Sequence, residues 1–410
     1  MKIVHVNNCD LVGRRFNGYD LHLSLNEMGH EANQIVVEKK SSVNTVIGLH
    51  EPDYYGGREF SRPMLRNIEK NSSLTSMIYP YGKQISEMKA FLNADIVHYH
   101  LIHNYFLSLI DFQKMVSKKK SVWTVHDPWI ISGHCVYPLN CEKWLDGCEP
   151  CDRYLEEPFT LKNDTASQLW KLKKQIYREL DIEIIVSSNF MLEYIQKSPL
   201  TSHFNRIHKI PFGIECERFA NRNKKSARDR FGISNTAFVV AYRTEQLEIK
   251  GTKYIEEAVN KLNMKKDVVL LTVGTGTVSK DLKNRYKVVE LGWQNDEMTL
   301  MDFYSASDVF LMPSLAESFG LMAIEAMAAG CVVIAFKTTV LEEIICSPNC
   351  GIAVSYKNSE EIKNVLEFLI ENRDECRVYG EKSKVFAFEN YSYDSYVKRH
   401  LELYQDIMKR

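Results

Sequence analysis

Short apolar runs alternate along this chain with stretches whose apolar positions recur at helical spacing. Residues 2–6 predict a strand, 7–18 a loop carrying Gly13 and Gly18, and 19–28 a helix with Leu21, Leu25 and Met28 on one face. Gly29 and His30 stop that helix, and 34–37 predict the next strand, so the chain opens as a βαβ unit. The pattern fades over 41–90, where a partly loop-like region is expected. It resumes with strands at 95–100 and 121–127, a helix at 164–180, a strand at 182–188 and a helix starting at 189. After a basic, polar stretch at 221–230 the alternation starts afresh, with strands at 237–242, 268–273, 288–293 and 308–312 and helices at 253–262 and 301–307. A last helix lies within 386–410. Strands alternating with helices in both halves predict an α/β protein built on two parallel sheets.

The sharpest local pattern runs from Pro313 to Phe336. Pro313 and Ser314 signal a turn, 319–329 hold good helix formers, Gly330 ends the helix, and 331–336 predict a short buried strand. Glu325 is the single charge on a helix that is apolar all round, which predicts burial. A buried carboxylate needs hydrogen-bond donors. Glu317 sits at or before the helix start, where free N–H groups and the helix dipole attract anions. Two readings follow: a core helix with a satisfied carboxylate, or a polar-ligand site at a helix N-terminus. A membrane span over 319–336 is excluded by Glu325, by the two glycines and by the change from helix to strand.

Composition sets outer bounds. The 410 residues exceed one ordinary core, so two domains are expected. A chain with 45% hydrophobic and 26% charged residues has an ordinary globular balance, and a net charge of −1 provides no basic field for nucleic acid. The first loop lacks Gly-x-Gly-x-x-Gly, which argues against a dehydrogenase. The N-terminal strand turns polar at Asn7, too early for a signal peptide, so a cytoplasmic location is expected. Ten cysteines are too few for a disulfide scaffold, yet Cys135, Cys141, Cys148 and Cys151 cluster. In a reducing compartment the cluster predicts a structural zinc site, with two disulfides or unligated thiols as the alternatives. The helix at 164–180 carries Lys171, Lys173, Lys174 and Arg178 beside Leu169, Trp170 and Ile176. It reads either as a basic face on an anionic membrane or, more simply, as a solvated face packed on its own domain.

Open α/β sheets bind ligands at the carboxyl ends of their strands. His100, His103 and His126 stand at such ends, with a structural role as the plain alternative. Arg243 and Lys250-Gly251 precede a helix and make a natural diphosphate clamp, separate surface cations being the other reading. Gly274-Thr275-Gly276 ends a strand in a close-approach turn.

Pro313-Ser314, Glu317-Ser318-Phe319-Gly320-Leu321 and Glu325-Ala326-Met327 through Gly330 resemble the Glu-x7-Glu signature of the retaining glycosyltransferases of family 4, the group 1 glycosyltransferases. Val125-His126-Asp127, Arg243, Lys250-Gly251 and Gly292-Trp293 resemble further positions of that family. The block from His126 to Cys151, with Trp129 and Trp144, looks like a subgroup associated with bacterial surface polysaccharide assembly. The likeness covers 236–340 most closely, 1–36 and 121–219 more loosely, and is silent on 41–90.

The resemblance implies a GT-B fold, two Rossmann-like domains facing across a cleft. The first would span 1–211 with a returning helix at 389–410, the second 212–388. It implies transfer of a hexose-type sugar, with retention, from a UDP- or GDP-linked donor to a saccharide or lipid-linked saccharide, without a metal for the chemistry. His126, Lys250, Arg243 and Glu317 would be the catalytic group. Gly13, Gly274, Gly292, Trp293, Gln294, Glu317, Ser318, Phe319, Gly320, Leu321 and Glu325 would bind the donor. The chain departs from the family with Val12-Gly13 for a double glycine, Phe212 for an asparagine, and a longer loop between Arg243 and Lys250. A lipid-linked acceptor would bring peripheral association with the inner membrane face. A nucleotide-sugar epimerase of the same fold and a non-catalytic nucleotide-binding member are the alternatives.

Overall fold

The paired strands all run parallel and fall into two sheets, in a computed structural model that describes residues 1–50, 62–155, 160–263 and 267–410. The chain divides into two compact units, one made of Met1–Pro211 with Val397–Arg410, the other of Phe212–Tyr396.

The first unit holds β1 (Lys2–Cys9), β2 (Glu31–Glu38), β3 (Val46–Gly48), β4 (Ile96–Tyr99), β5 (Lys120–Val125), β6 (Glu183–Val186) and β7 (Ile207–Lys209). Their order across the sheet is β3-β2-β1-β4-β5-β6-β7. The central strands β1, β4, β5 and β6 are buried almost throughout, as expected when helices cover both faces of a parallel sheet, whereas β3 and β7 at the edges are partly exposed. Each large apolar side chain fully buried here, such as Ile35, Phe91 or Phe112, contributes about 1.5–3 kcal/mol. The sheet is unusual in placing imidazoles inside. His5 on β1 lies opposite His98 on β4 in the parallel register.

The second unit holds β8 (Phe238–Thr244), β9 (Val268–Gly274), β10 (Lys287–Glu290), β11 (Val309–Met312), β12 (Val332–Phe336) and β13 (Ile352–Val354). The order is β10-β9-β8-β11-β12-β13. In each sheet the strand order reverses once, between β1 and β4 in the first and between β8 and β11 in the second. A ligand crevice is expected outside the carboxyl ends of those strand pairs.

Several element boundaries differ from the sequence pattern, each for a local reason. The helix expected at 319–329 is Leu321–Ala328, because Gly320 adopts a left-handed backbone (φ 99°) that leaves Phe319 in the preceding loop. The helix expected at 301–307 starts earlier, at Glu297, because the Asp296 carboxylate accepts from the Met298 and Thr299 amides and caps it. The strand expected at 288–293 ends at Glu290, so Gly292 and Trp293 project beyond it. The stretch 41–90, expected to be partly loop-like, carries the helices Arg62–Ser72 and Tyr81–Glu87 and the start of Lys89–Asn93. Its part at 51–61 lies outside the described residues. Among the described residues no helix is long and apolar enough to cross a membrane.

Candidate active site

The reversal point of the second sheet gathers most of the predicted donor residues. Arg243 stands at the end of β8, the loop after it carries Glu245 to Gly251, and the loop after β11 carries Pro313 to Gly320. Three features stitch them together. The Leu315 amide donates to the Ile249 carbonyl at 2.8 Å. Gly251, with φ 73°, lies so close to the Pro313 carbonyl that a Cβ would overlap it. The Lys250 ammonium donates to Glu317 Oε1 at 2.7 Å, and the Ser314 hydroxyl donates to the same oxygen at 3.0 Å. Lys250 and Glu317 are therefore one ion pair spanning the crevice, both half-buried.

Glu325 is buried on the helix Leu321–Ala328, as its surroundings in sequence required. The Tyr304 hydroxyl, from the helix Glu297–Ala306, donates to its Oε2 at 2.8 Å. Phe319 turns away from the crevice: its ring packs edge-on against Phe212 (5.1 Å) and Tyr391 (5.8 Å), so only its backbone is available to a ligand. That packing also accounts for Phe212, which serves as an apolar partner where the family has an amide side chain. The Ala323 amide donates to the Gly320 carbonyl at 3.0 Å, while the amides before it have no acceptor within the helix.

Arg243 donates to Glu245 Oε2 at 2.7 Å and lies over the exposed Trp293 ring, 5.3 Å from its centroid. Glu245 Oε1 accepts from the Thr275 hydroxyl at 2.8 Å. Burial acts to raise the Glu245 pKa, but the Thr275 hydroxyl and the Arg243 charge outweigh it and hold the carboxyl below its ordinary value. The Gly274 amide donates to the Gly292 carbonyl at 2.9 Å, which joins the β9 and β10 ends. Gly274, at φ 127°, abuts the Thr244 carbonyl and admits no side chain. Gln294 donates to the Leu291 carbonyl and closes the turn behind Trp293. The sequence assigns no contact to Glu245, Thr275 or Tyr304, and Ser314 is legible in it only as part of the Pro313-Ser314 motif; Glu245 carries a signal as a carboxylate inside the lengthened loop between the two cations.

The reversal point of the first sheet is built differently. Asn17 donates to the carbonyls of Cys9, Asp10 and Val12 and closes the loop after β1. Gly13 (φ 72°) leaves room for the Phe16 ring, whose centroid lies 5.5 Å from that of His126. His126 Nε2 lies 3.3 Å from His100 Nδ1, and His100 Nε2 lies 3.1 Å from His5 Nδ1. Burial holds His126 down at about 3, an effect the neighbouring Asp127 opposes, and burial with the neighbouring imidazoles holds His5, His98 and His100 well below the usual histidine value. His103 instead pairs with Asp127 at 3.1 Å and stacks on Trp129.

Among the described residues, His5, His98 and His100 form the one group of such side chains close enough to share a metal ion. His98 already uses both ring nitrogens, on the Tyr404 hydroxyl (2.6 Å) and the Thr124 hydroxyl (2.7 Å), so hydrogen bonding accounts for the cluster. Cys135, Cys141, Cys148 and Cys151 are free thiols, and no three of them come close enough to share an ion. The expected zinc set is therefore not assembled. Cys148 instead accepts the Gly133 amide at 3.3 Å, inside the apolar core. The basic helix is Ala166–Arg178, and its apolar face is spent on this unit's own core. Lys173 is buried, donates to the Trp129 and Ser132 carbonyls at 2.7 and 2.8 Å, and sits over the Trp129 ring.

A family model described as glycosyl transferases group 1 matches residues 223–386. A putative colanic acid biosynthesis glycosyl transferase, WcaC of Escherichia coli K12, is 35% identical over 92 residues, 21% of this chain and 22% of that protein. A lipopolysaccharide 1,2-N-acetylglucosaminetransferase of Salmonella typhimurium is 24% identical over 363 residues, 81% of this chain and 93% of its own. For several other curated relatives the match spans about half of the relative's length. In fold, the chain is similar to Anabaena HepE, solved with UDP and glucose, at a TM-score of 0.68 and 13% identity, over 98% of this chain and 99% of that one.

Proposed function

From a chain whose C-terminal unit belongs to the group 1 glycosyltransferases, on a GT-B fold, we propose an enzyme that moves a hexose-type sugar from a nucleotide-sugar to a saccharide or lipid-linked saccharide with retention. The observation that carries this reading is the Lys250–Glu317 pair at the reversal point of the family-matched sheet. Relatives named for lipopolysaccharide and colanic acid synthesis support a polysaccharide acceptor, and HepE, solved with UDP-glucose, supports a UDP-linked donor, with GDP as the other candidate.

In this reading Lys250, Arg243 and the amides at Phe319 to Leu321 hold the donor diphosphate. Glu325 accepts from the ribose hydroxyls, and Glu317 holds the sugar through its hydroxyls. Gly274 and Gly292 let the backbone approach the nucleotide, and Trp293 with Gln294 forms the edge for the base. Gly13 is assigned to close backbone approach to the donor phosphate and His126 to the sugar, where a neutral imidazole at pH 7 bonds a hydroxyl without adding charge. The C1–phosphate bond breaks while the acceptor oxygen bonds C1 on the same face. A departing diphosphate oxygen takes the acceptor proton. Cations and amides fixed where negative charge grows supply the rate. No metal takes part in this scheme.

Incubation with UDP- and GDP-hexoses, with and without saccharide and lipid-linked acceptors, tests the reading. The expected result is acceptor-dependent transfer whose product has the donor's anomeric configuration by NMR. Donor turnover without acceptor would favour the epimerase. An inverted anomer, or a sugar trapped covalently on Glu317 or Glu325, would overturn the mechanism.

A further inference from the structure

The two cations assigned to the diphosphate are each matched by a carboxylate: Lys250 by Glu317 and Arg243 by Glu245, both at 2.7 Å. The four formal charges sum to zero, so a diphosphate approaches a clamp with no net attraction. Glu317 has a further role in the reading above, but Glu245 has none. We propose that Glu245 is a built-in competitor for Arg243, whose carboxylate occupies the place of a phosphate oxygen until a nucleoside diphosphate displaces it. This rests on the donor-site reading of the C-terminal unit.

Three observations carry the proposal. First, the pairing uses a single terminal nitrogen of Arg243, while its Nε is buried without an acceptor. A phosphate offers two adjacent oxygens and can take both nitrogens at once, the fork geometry that makes arginine–phosphate pairs strong. Second, the carboxylate is hinged for exchange. Glu245 Oε1 is anchored by the Thr275 hydroxyl at 2.8 Å and by the Gln246 amide at 3.3 Å, so Oε2 can release Arg243 while Oε1 stays in place. Third, the guanidinium is held independently against the Trp293 ring, so it keeps its place when the carboxylate leaves. A competitor of this kind weakens diphosphate binding and thereby helps the nucleotide product depart, a step that limits turnover in many enzymes.

Calorimetric titration of the full chain with UDP, GDP, ADP, uridine and guanosine, at low and moderate salt, tests this in the wild type and in Glu245→Gln. Glutamine keeps an acceptor for Thr275 and removes the charge. The expected result is about five- to twentyfold tighter binding of whichever diphosphate the wild type accepts, since a like charge beside the ligand is gone. Nucleoside affinity should stay the same, and the salt dependence should steepen. Thr275→Val, which loosens the anchor with every charge in place, is expected to tighten diphosphate binding by about two- to threefold. Unchanged or weaker diphosphate binding in Glu245→Gln, with nucleoside affinity intact, overturns the proposal and makes Glu245 a positioning residue for Arg243. A wild type that binds none of the three diphosphates overturns the donor-site reading itself, and this proposal with it.

Discussion

The two units present the same feature of topology with opposite chemistry. Where the first sheet reverses, between β1 and β4, the strand ends meet in imidazoles kept neutral by burial. Where the second reverses, between β8 and β11, the strand ends and loops carry half-buried ion pairs, of which Lys250–Glu317 joins the two loops. A parallel sheet fixes where a ligand crevice forms, but leaves its polarity to the few residues just past the strand ends. Charge pairs that solvent can reach are exchangeable for the charges of a polyanion. A neutral imidazole suits a hydroxyl-rich partner and would bind a phosphate poorly. In the proposed reading the charged reversal point of the C-terminal unit takes the nucleotide diphosphate, a role the neutral reversal point of the N-terminal unit is not built for.

The contrast breaks most directly at Lys250. Lys250→Ala is expected to cut turnover at saturating donor by about a hundred- to thousandfold, the usual loss of one fixed donor to a developing anion. It also leaves Glu317 without its cation, beside the diphosphate. Adding Glu317→Gln to Lys250→Ala should therefore restore part of the nucleotide affinity but little of the rate. A single variant with near wild-type turnover would remove the electrostatic role of this crevice. A smaller effect is expected at Glu325, whose Oε2 accepts from Tyr304. Glu325→Gln should weaken UDP or GDP binding by about 1.5–3 kcal/mol, the range for a hydrogen bond to a charged group. Equal affinities in variant and wild type would make Glu325 a core carboxylate satisfied from within.

Much of this was legible in the sequence, unevenly. The second unit could be read closely because its ligand residues sit in one short motif with a helical period and two turn signals, from Pro313 to Gly330. Gly320 shows the limit of that reading: glycine permits a helix start or a left-handed turn, and the fold has the left-handed turn, with Leu341 in the space a Cβ would take. The histidines at 100 and 126 were placed at strand ends, but not in contact with His5 and with each other. That meeting depends on the register of β1 against β4, which crosses about ninety residues of chain and leaves no local trace. Spacing misled at the four cysteines. Nearness in sequence suggested a tetrahedral site, whereas the fold sends Cys148 into the apolar core. The Ala166–Arg178 helix packs on its own unit as the simpler reading expected, but spacing could not show that Lys173 turns inward to backbone carbonyls.

The last prediction concerns the imidazoles, and its sign follows from burial. His5, His98, His100 and His126 all have folded pKa values below the ordinary 6.5, His126 at about 3. Above 6.5 they are neutral in both the folded and unfolded states and impose no pH dependence. As the pH falls below 6.5, the unfolded chain takes up protons that the folded chain refuses, so stability falls. The loss continues until the folded values are reached, at about 3 for His126. Each such histidine contributes a slope of at most about 1.4 kcal/mol per pH unit. The tryptophans allow the units to be read apart: Trp123, Trp129, Trp144 and Trp170 lie in the first and Trp293 in the second. Urea titrations followed by tryptophan emission should show the midpoint of the N-terminal unit falling steadily from pH 6.5 to 4.5. His5→Gln or His98→Gln should flatten that slope by up to one proton each, even where it lowers stability at pH 7. A slope that both variants leave unchanged would assign the acid sensitivity to carboxylates instead, and would remove the neutral imidazoles from the contrast between the two reversal points.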